Sequence, residues 1–85
     1  MTYNIELSRS SHKALKDIPL ADVKKIRDKI EKLKKEPKPN GCEKLEGSDD
    51  LYRIRSGDYR VIYQIFNKKL IILVVKIGHR REIYC

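Results

Sequence analysis

Arg53, Arg55 and Arg60, within Tyr-Arg-Ile-Arg-Ser-Gly-Asp-Tyr-Arg at residues 52–60, are the side chains whose type and spacing best suit chemistry on a phosphate. Arg53 and Arg55 alternate with Tyr52 and Ile54, so on a strand both project from one face. Gly57-Asp58 reads as a hairpin turn, because glycine supplies positive φ at no steric cost. A two-residue turn pairs Ser56 with Tyr59 and sets Arg55 directly across from Arg60. Like charges facing across a ladder are unfavourable by ~0.2–1 kcal/mol. Such a cluster is either a solvated strand face or a seat for phosphates, which the planar, permanently charged guanidinium fork fits.

The tail Gly78-His79-Arg80-Arg81-Glu82-Ile83-Tyr84-Cys85 follows an apolar strand directly. A segment there can reach over the open face of a sheet, carrying an imidazole, a phenol and two guanidiniums towards the hairpin arginines; the plainer alternative is a polar terminus. Lys24, Lys25, Lys29 and Lys32 are either phosphate contacts or the ordinary surface of a basic helix. A metal site is not expected: His12 and His79 are the only histidines, and Cys42 and Cys85 lack ligand spacing. Glycine-rich phosphate loops and a nucleophile elbow are absent, and no cofactor is called for.

The elements that must position these groups fit one small domain of 85 residues with net charge +8. The excess lies on residues 8–40 and 51–85, with 11 basic against 5 acidic and 8 against 2, whereas 41–50 is acidic. That distribution points to nucleic acid or another polyanion as partner, with an acidic protein as the alternative. Two cysteines make no disulfide framework, and no signal peptide or membrane-length apolar run appears, so a cytoplasmic protein with reduced thiols is expected.

Residues 3–7 alternate like a half-buried strand. Ser8, Ser10 and Ser11 are each suited to cap a short helix carrying Ala14, Leu15 and Ile18 inward. After Pro19, Leu20, Val23, Ile26, Ile30 and Leu33 form the apolar stripe of a second helix, which Pro37, Pro39 and Gly41 bring to an end. Residues 36–50 read as a loop with a short extended piece at 43–46. Strands follow at 51–55 and 59–66, with Tyr52, Ile54, Tyr59, Val61, Tyr63 and Ile65 towards the helices. Asn67-Lys68 then turns into a strand at 70–77, apolar on both faces and therefore central. The order β-α-α-β-β-β implies an α+β domain, a helical hairpin on one face of a mainly antiparallel four-stranded sheet.

From Tyr52 to Ile65, and again from Lys68 to Tyr84, the sequence resembles the RelE/ParE toxin superfamily. The likeness spans essentially the whole chain, including Lys-Leu-Glu-Gly at 44–47. It implies a toxin of a prokaryotic type II toxin–antitoxin pair, held inactive by an acidic antitoxin. RelE-like members cut mRNA in the ribosomal A site without a metal; ParE-like members share the fold and poison DNA gyrase. By this resemblance Arg60 and Arg80 would sit on the scissile phosphate, and Tyr84 matches the C-terminal tyrosine of RelE. Glu43 falls where the YoeB branch has its acidic catalytic residue, and His79 adjoins Arg80. Arg53 and Arg55 stand where RelE has lysines; since guanidinium does not deprotonate, they suit phosphate and ribosomal RNA contacts, and Glu43 and His79 rank ahead of Tyr84 as proton acceptor. The rival expectation is a binding module without nuclease activity, either a gyrase inhibitor or a basic RNA-binding domain.

Overall fold

Three serines tie the first helix to the sheet beneath it. Strand β1 (Asn4–Leu7) leads into α1 (Arg9–Asp17), and Ser8 caps the helix by accepting from the Ser11 amide at 3.1 Å. The Ser8 hydroxyl donates to the Val75 carbonyl at 2.7 Å, and buried Ser11 donates to the Val74 carbonyl at 3.0 Å. Helix α2 (Leu20–Leu33) starts directly after Pro19, whose fixed φ and carbonyl suit it to precede a first turn. The computed structural model describes residues 2–47 and 50–79.

Among the described residues the sheet has five strands in the order β1-β5-β4-β3-β2, one more than the sequence pattern implies. The addition is β2 (Glu43–Lys44), whose two residues are too few to show a hydrophobic alternation. It is held against β3 (Leu51–Ser56) by antiparallel pairing and by the Leu45 amide on the Leu51 carbonyl at 3.0 Å. Strand β4 (Tyr59–Phe66) has the expected limits, and β5 (Ile71–His79) runs two residues beyond Ile77. β1 and β5 pair in parallel, and the other pairings among the described residues are antiparallel.

The core lies between the helices and one face of the sheet. Leu15, Val23, Ile26, Ile30 and Leu33 pack there on Ile54, Val61, Tyr63, Ile65, Ile72, Val74 and Ile77. Tyr52 and Tyr59 are partly buried against this cluster, so all six strand residues expected to face the helices do so. Tyr63 is fully buried, and its hydroxyl donates to the Pro37 carbonyl at 2.6 Å. That bond fastens the segment after α2 to the sheet and guides it towards β2. Burial, with Cys42 alongside, pushes the Tyr63 phenol well above the ordinary tyrosine range.

Candidate nucleic-acid interface

The face of the sheet away from the helices carries the arginines. The β3–β4 hairpin pairs Ser56 with Tyr59 and Arg55 with Arg60, as the two-residue turn requires. Gly57 has φ +60 while Asp58 stays out of the positive region, the pattern of a type II′ turn with glycine first. Arg53 and Arg55 project from the same face as Arg60, two rows of the ladder apart at most.

Glu43 joins them from β2, opposite Arg53. Its carboxylate accepts a hydrogen bond from Arg53 Nη2 and lies 3.8 Å from Arg55 Nη2. The Arg53 side chain is 13% exposed and that of Arg55 60%, so the second contact is looser and faces water. Arg60 is only 6% exposed, although α1 and α2, the helices of the described residues, pack on the other face of the sheet. Holding a guanidinium out of water carries a desolvation penalty that a solvated strand face does not incur. Burial of Arg60 therefore favours the phosphate seat over the solvated face.

A β-bulge decides which residues of β5 share this face. Tyr63 pairs with Val74 and Ile62 with Lys76, so Val75 is the extra residue and the inward–outward alternation reverses beyond it. Plain alternation from Ile72 and Val74 would turn Lys76 and Gly78 inward and His79 towards the arginines. The bulge instead buries Ile77, places Gly78 beside Arg60 and brings Lys76 onto the arginine face. Gly78 has no side chain to compete with the Arg60 guanidinium for space. Lys76 is a cation that strand alternation alone could not have assigned here.

His79 consequently lies on the helix face. It pairs with Tyr59, and their rings meet edge to face at 5.6 Å. The expectation that its imidazole joins Arg60 is thus corrected, with the bulge as the physical reason. Of the acid–base candidates among the described residues, Glu43 is the one that shares a face with Arg60. Arg80 and Tyr84 lie outside the described residues.

The lysines of α2 separate by helical position. Lys29 and Lys32 border a groove between α2 and the β2–β3 edge, whose other walls include Glu43 and Arg55. Lys24 and Lys25 are exposed and do not line it. Among the described residues no group of three histidine, cysteine, aspartate or glutamate side chains comes together, and no helix is long and apolar enough to cross a membrane.

Comparison with known proteins gives a consistent assignment. Residues 5–84 match the family described as ParE toxin of type II toxin–antitoxin system, parDE. A protein of Methanocaldococcus jannaschii named as a candidate toxin, RelE1, is 38% identical, over 99% of this chain and 97% of its own. The mRNA interferase toxin RelE of Escherichia coli is 26% identical, over 99% and 92%. The fold superposes on the archaeal RelE–RelB complex from Pyrococcus horikoshii with a TM-score of 0.83 and 38% identity, covering 94% of this chain and 97% of that one.

Proposed function

Since the chain belongs to the ParE toxin family of type II toxin–antitoxin systems, we propose that it cleaves messenger RNA on the ribosome, by attack of the ribose 2′-hydroxyl on the adjacent phosphate. The bond from the 2′-oxygen to phosphorus forms as the bond to the 5′-oxygen breaks. A 2′,3′-cyclic phosphate and a free 5′-hydroxyl remain, with no metal in the step. The nucleophile belongs to the substrate, which confines the reaction to RNA. The observation that carries this reading is the face on which Arg53, Arg55 and buried Arg60 converge with the carboxylate of Glu43.

Charge accumulates on the phosphate oxygens in the transition state, and a preorganised, partly desolvated cation stabilises it most effectively. Arg60 fills that role, with Arg80 as its expected companion. Arg53 and Arg55 hold flanking phosphates, Glu43 accepts the 2′-hydroxyl proton, and the departing 5′-oxygen takes a proton from water. The alignment of nucleophile and leaving group falls to the ribosome, which explains how so few acid–base groups suffice.

The relative from Pyrococcus horikoshii was solved with RelB, which supports an antitoxin as this chain's partner, and an acidic one suits the cationic face. Masking Arg53, Arg55 and Arg60 would neutralise the excess charge and stop cleavage together. Toxin and antitoxin act in the cytoplasm, where the ribosomes are.

The family description names ParE, which favours gyrase inhibition as the second reading. A translating extract and a supercoiling assay run side by side separate the two. Cleavage mapped inside the A-site codon is the expected result. Inhibited supercoiling with intact mRNA would replace the nuclease reading.

A further inference from the structure

Beside the arginine face, and joined to it through Arg55, lies a cavity of about 460 Å³ between α2 and the β2–β3 edge. Lys29, Lys32 and Arg55 supply its cations, Asn40 and Gly41 border it, and Glu43 is its one carboxylate among the described residues. We infer that this groove is a second phosphate subsite, which holds the backbone of the substrate mRNA beside the cleaved bond. The inference rests on the nuclease reading and adds to it a path for the strand.

Three observations point to a nucleic-acid backbone. Lys29 and Lys32 are three residues apart on one helix, so their stems stand about 5–6 Å apart at Cβ and can serve successive phosphates. Neither makes an ion pair among the described residues, whereas Lys34 on the opposite flank pairs with Glu31 at 2.9 Å. Arg55 is 60% exposed and belongs to both surfaces, so one strand can pass from Arg60 over the β3 edge without leaving cationic ground.

A protein segment is the poorer fit. Among the described residues its apolar side chains are Pro39 and Ile54, which is 5% exposed, so it offers no aromatic or other large exposed side chain as an anchor for an interface core. The groove on the other flank of α2 differs, with Ile5, Leu7, Leu15 and Ile30 along its floor.

The test uses ribosomes carrying either a long message or one truncated within a few nucleotides of the cleavage site, on each side in turn. Lys29→Ala/Lys32→Ala is compared with Lys13→Ala/Lys68→Ala, which removes equal charge from exposed positions that do not line the groove. On the long message the groove variant should bind more weakly than the control, with a salt slope shallower by about 1.4, as for two lost contacts to a single strand. Truncation on the side that enters the groove should weaken the unaltered protein and leave the groove variant unchanged. Cleavage once bound should persist in both variants. Equal binding by the groove variant and its control would overturn the inference. So would a groove defect that is the same on every message length, which would assign the site to ribosomal RNA, or a defect confined to antitoxin binding. If the unaltered protein cleaves nothing, the nuclease reading fails; if it cleaves but the two variants are alike, only the groove fails.

Discussion

Replacing Glu43 with glutamine should move binding and chemistry in opposite directions. The carboxylate is half exposed, and its contact with Arg55 spans 3.8 Å between side chains that both face water. At that distance a pair of unit charges interacts by about 1 kcal/mol in a water-like dielectric, and exposed pairs contribute about 0–1 kcal/mol to stability. The hydrogen bond to Arg53, whose side chain is 13% exposed, is the stronger of the two. Glu43→Gln should therefore lower stability by about 1 kcal/mol, a fall of about 4–8 °C in Tm for a domain of this size. An RNA phosphate seated about 4 Å from the former charge is relieved of about 1 kcal/mol of repulsion, so ribosome binding should tighten about fivefold. If the carboxylate takes the 2′-hydroxyl proton, cleavage of the bound message should slow by ~10²–10⁴. Single-turnover cleavage on programmed ribosomes, followed across toxin concentrations, separates the two effects. An unchanged rate at saturation would remove Glu43 from the proton transfer. Weaker binding would contradict a phosphate seat on this face.

Arg60→Ala should slow cleavage by ~10²–10³, the loss typical of one transition-state donor, with the circular dichroism spectrum of the unaltered protein retained; full growth arrest by this variant would exclude the residue from the mechanism. Tyr63→Phe removes the 2.6 Å bond to the Pro37 carbonyl and should cost about 1 kcal/mol in urea denaturation. In the unaltered protein the folded state keeps the Tyr63 proton while the unfolded chain releases it above about pH 10, so stability falls as pH rises through that range. The phenylalanine variant lacks this contribution, so the gap between the two should narrow above about pH 10, and a constant gap would refute the linkage. Ser11→Ala withdraws a donor from the Val74 carbonyl and should cost about 0.5–1.5 kcal/mol; a loss of cleavage beyond that expected from stability would show that the bulge shapes the arginine face.

The hairpin was legible because everything that specifies it is local. Gly57-Asp58 sets the turn, the turn sets the register, and the register sets Arg55 against Arg60. The two helices were legible from the cluster of serines at 8–11, of which Ser8 is the cap, from Pro19, and from the apolar stripe, of which Leu20 alone stays exposed. Strand β2 was less so, since two residues carry no period and its pairing depends on β3 and on the Arg53–Glu43 contact. His79 was misplaced for a different reason. Its face depends on a bulge at Val75, and nothing in Leu-Ile-Ile-Leu-Val-Val-Lys-Ile announces an extra residue, because every position in the first six is apolar. Likewise, four lysines on α2 look equivalent until the β2–β3 edge singles out Lys29 and Lys32.

The bulge also links the two sides of the sheet. An extra residue leaves carbonyls that the ladder does not fully use, and here the Val74 and Val75 carbonyls accept from Ser8 and Ser11 at the start of α1. The irregularity is thus satisfied from the helix side, while its consequence appears on the other side: Gly78 adjoins Arg60, and Lys76 adds a fourth cation to the face. Meanwhile Arg55 opposite Arg60 sets like charges across a ladder, against the preference of an ordinary sheet. Departures from local rules that the surrounding structure actively supports are expected where function sets the requirement. Here both converge on Arg60, the one arginine of the hairpin that is buried. A face selected for solubility alone would need neither the bulge nor the buried guanidinium, whereas a face that must concentrate positive charge on one phosphate makes use of both.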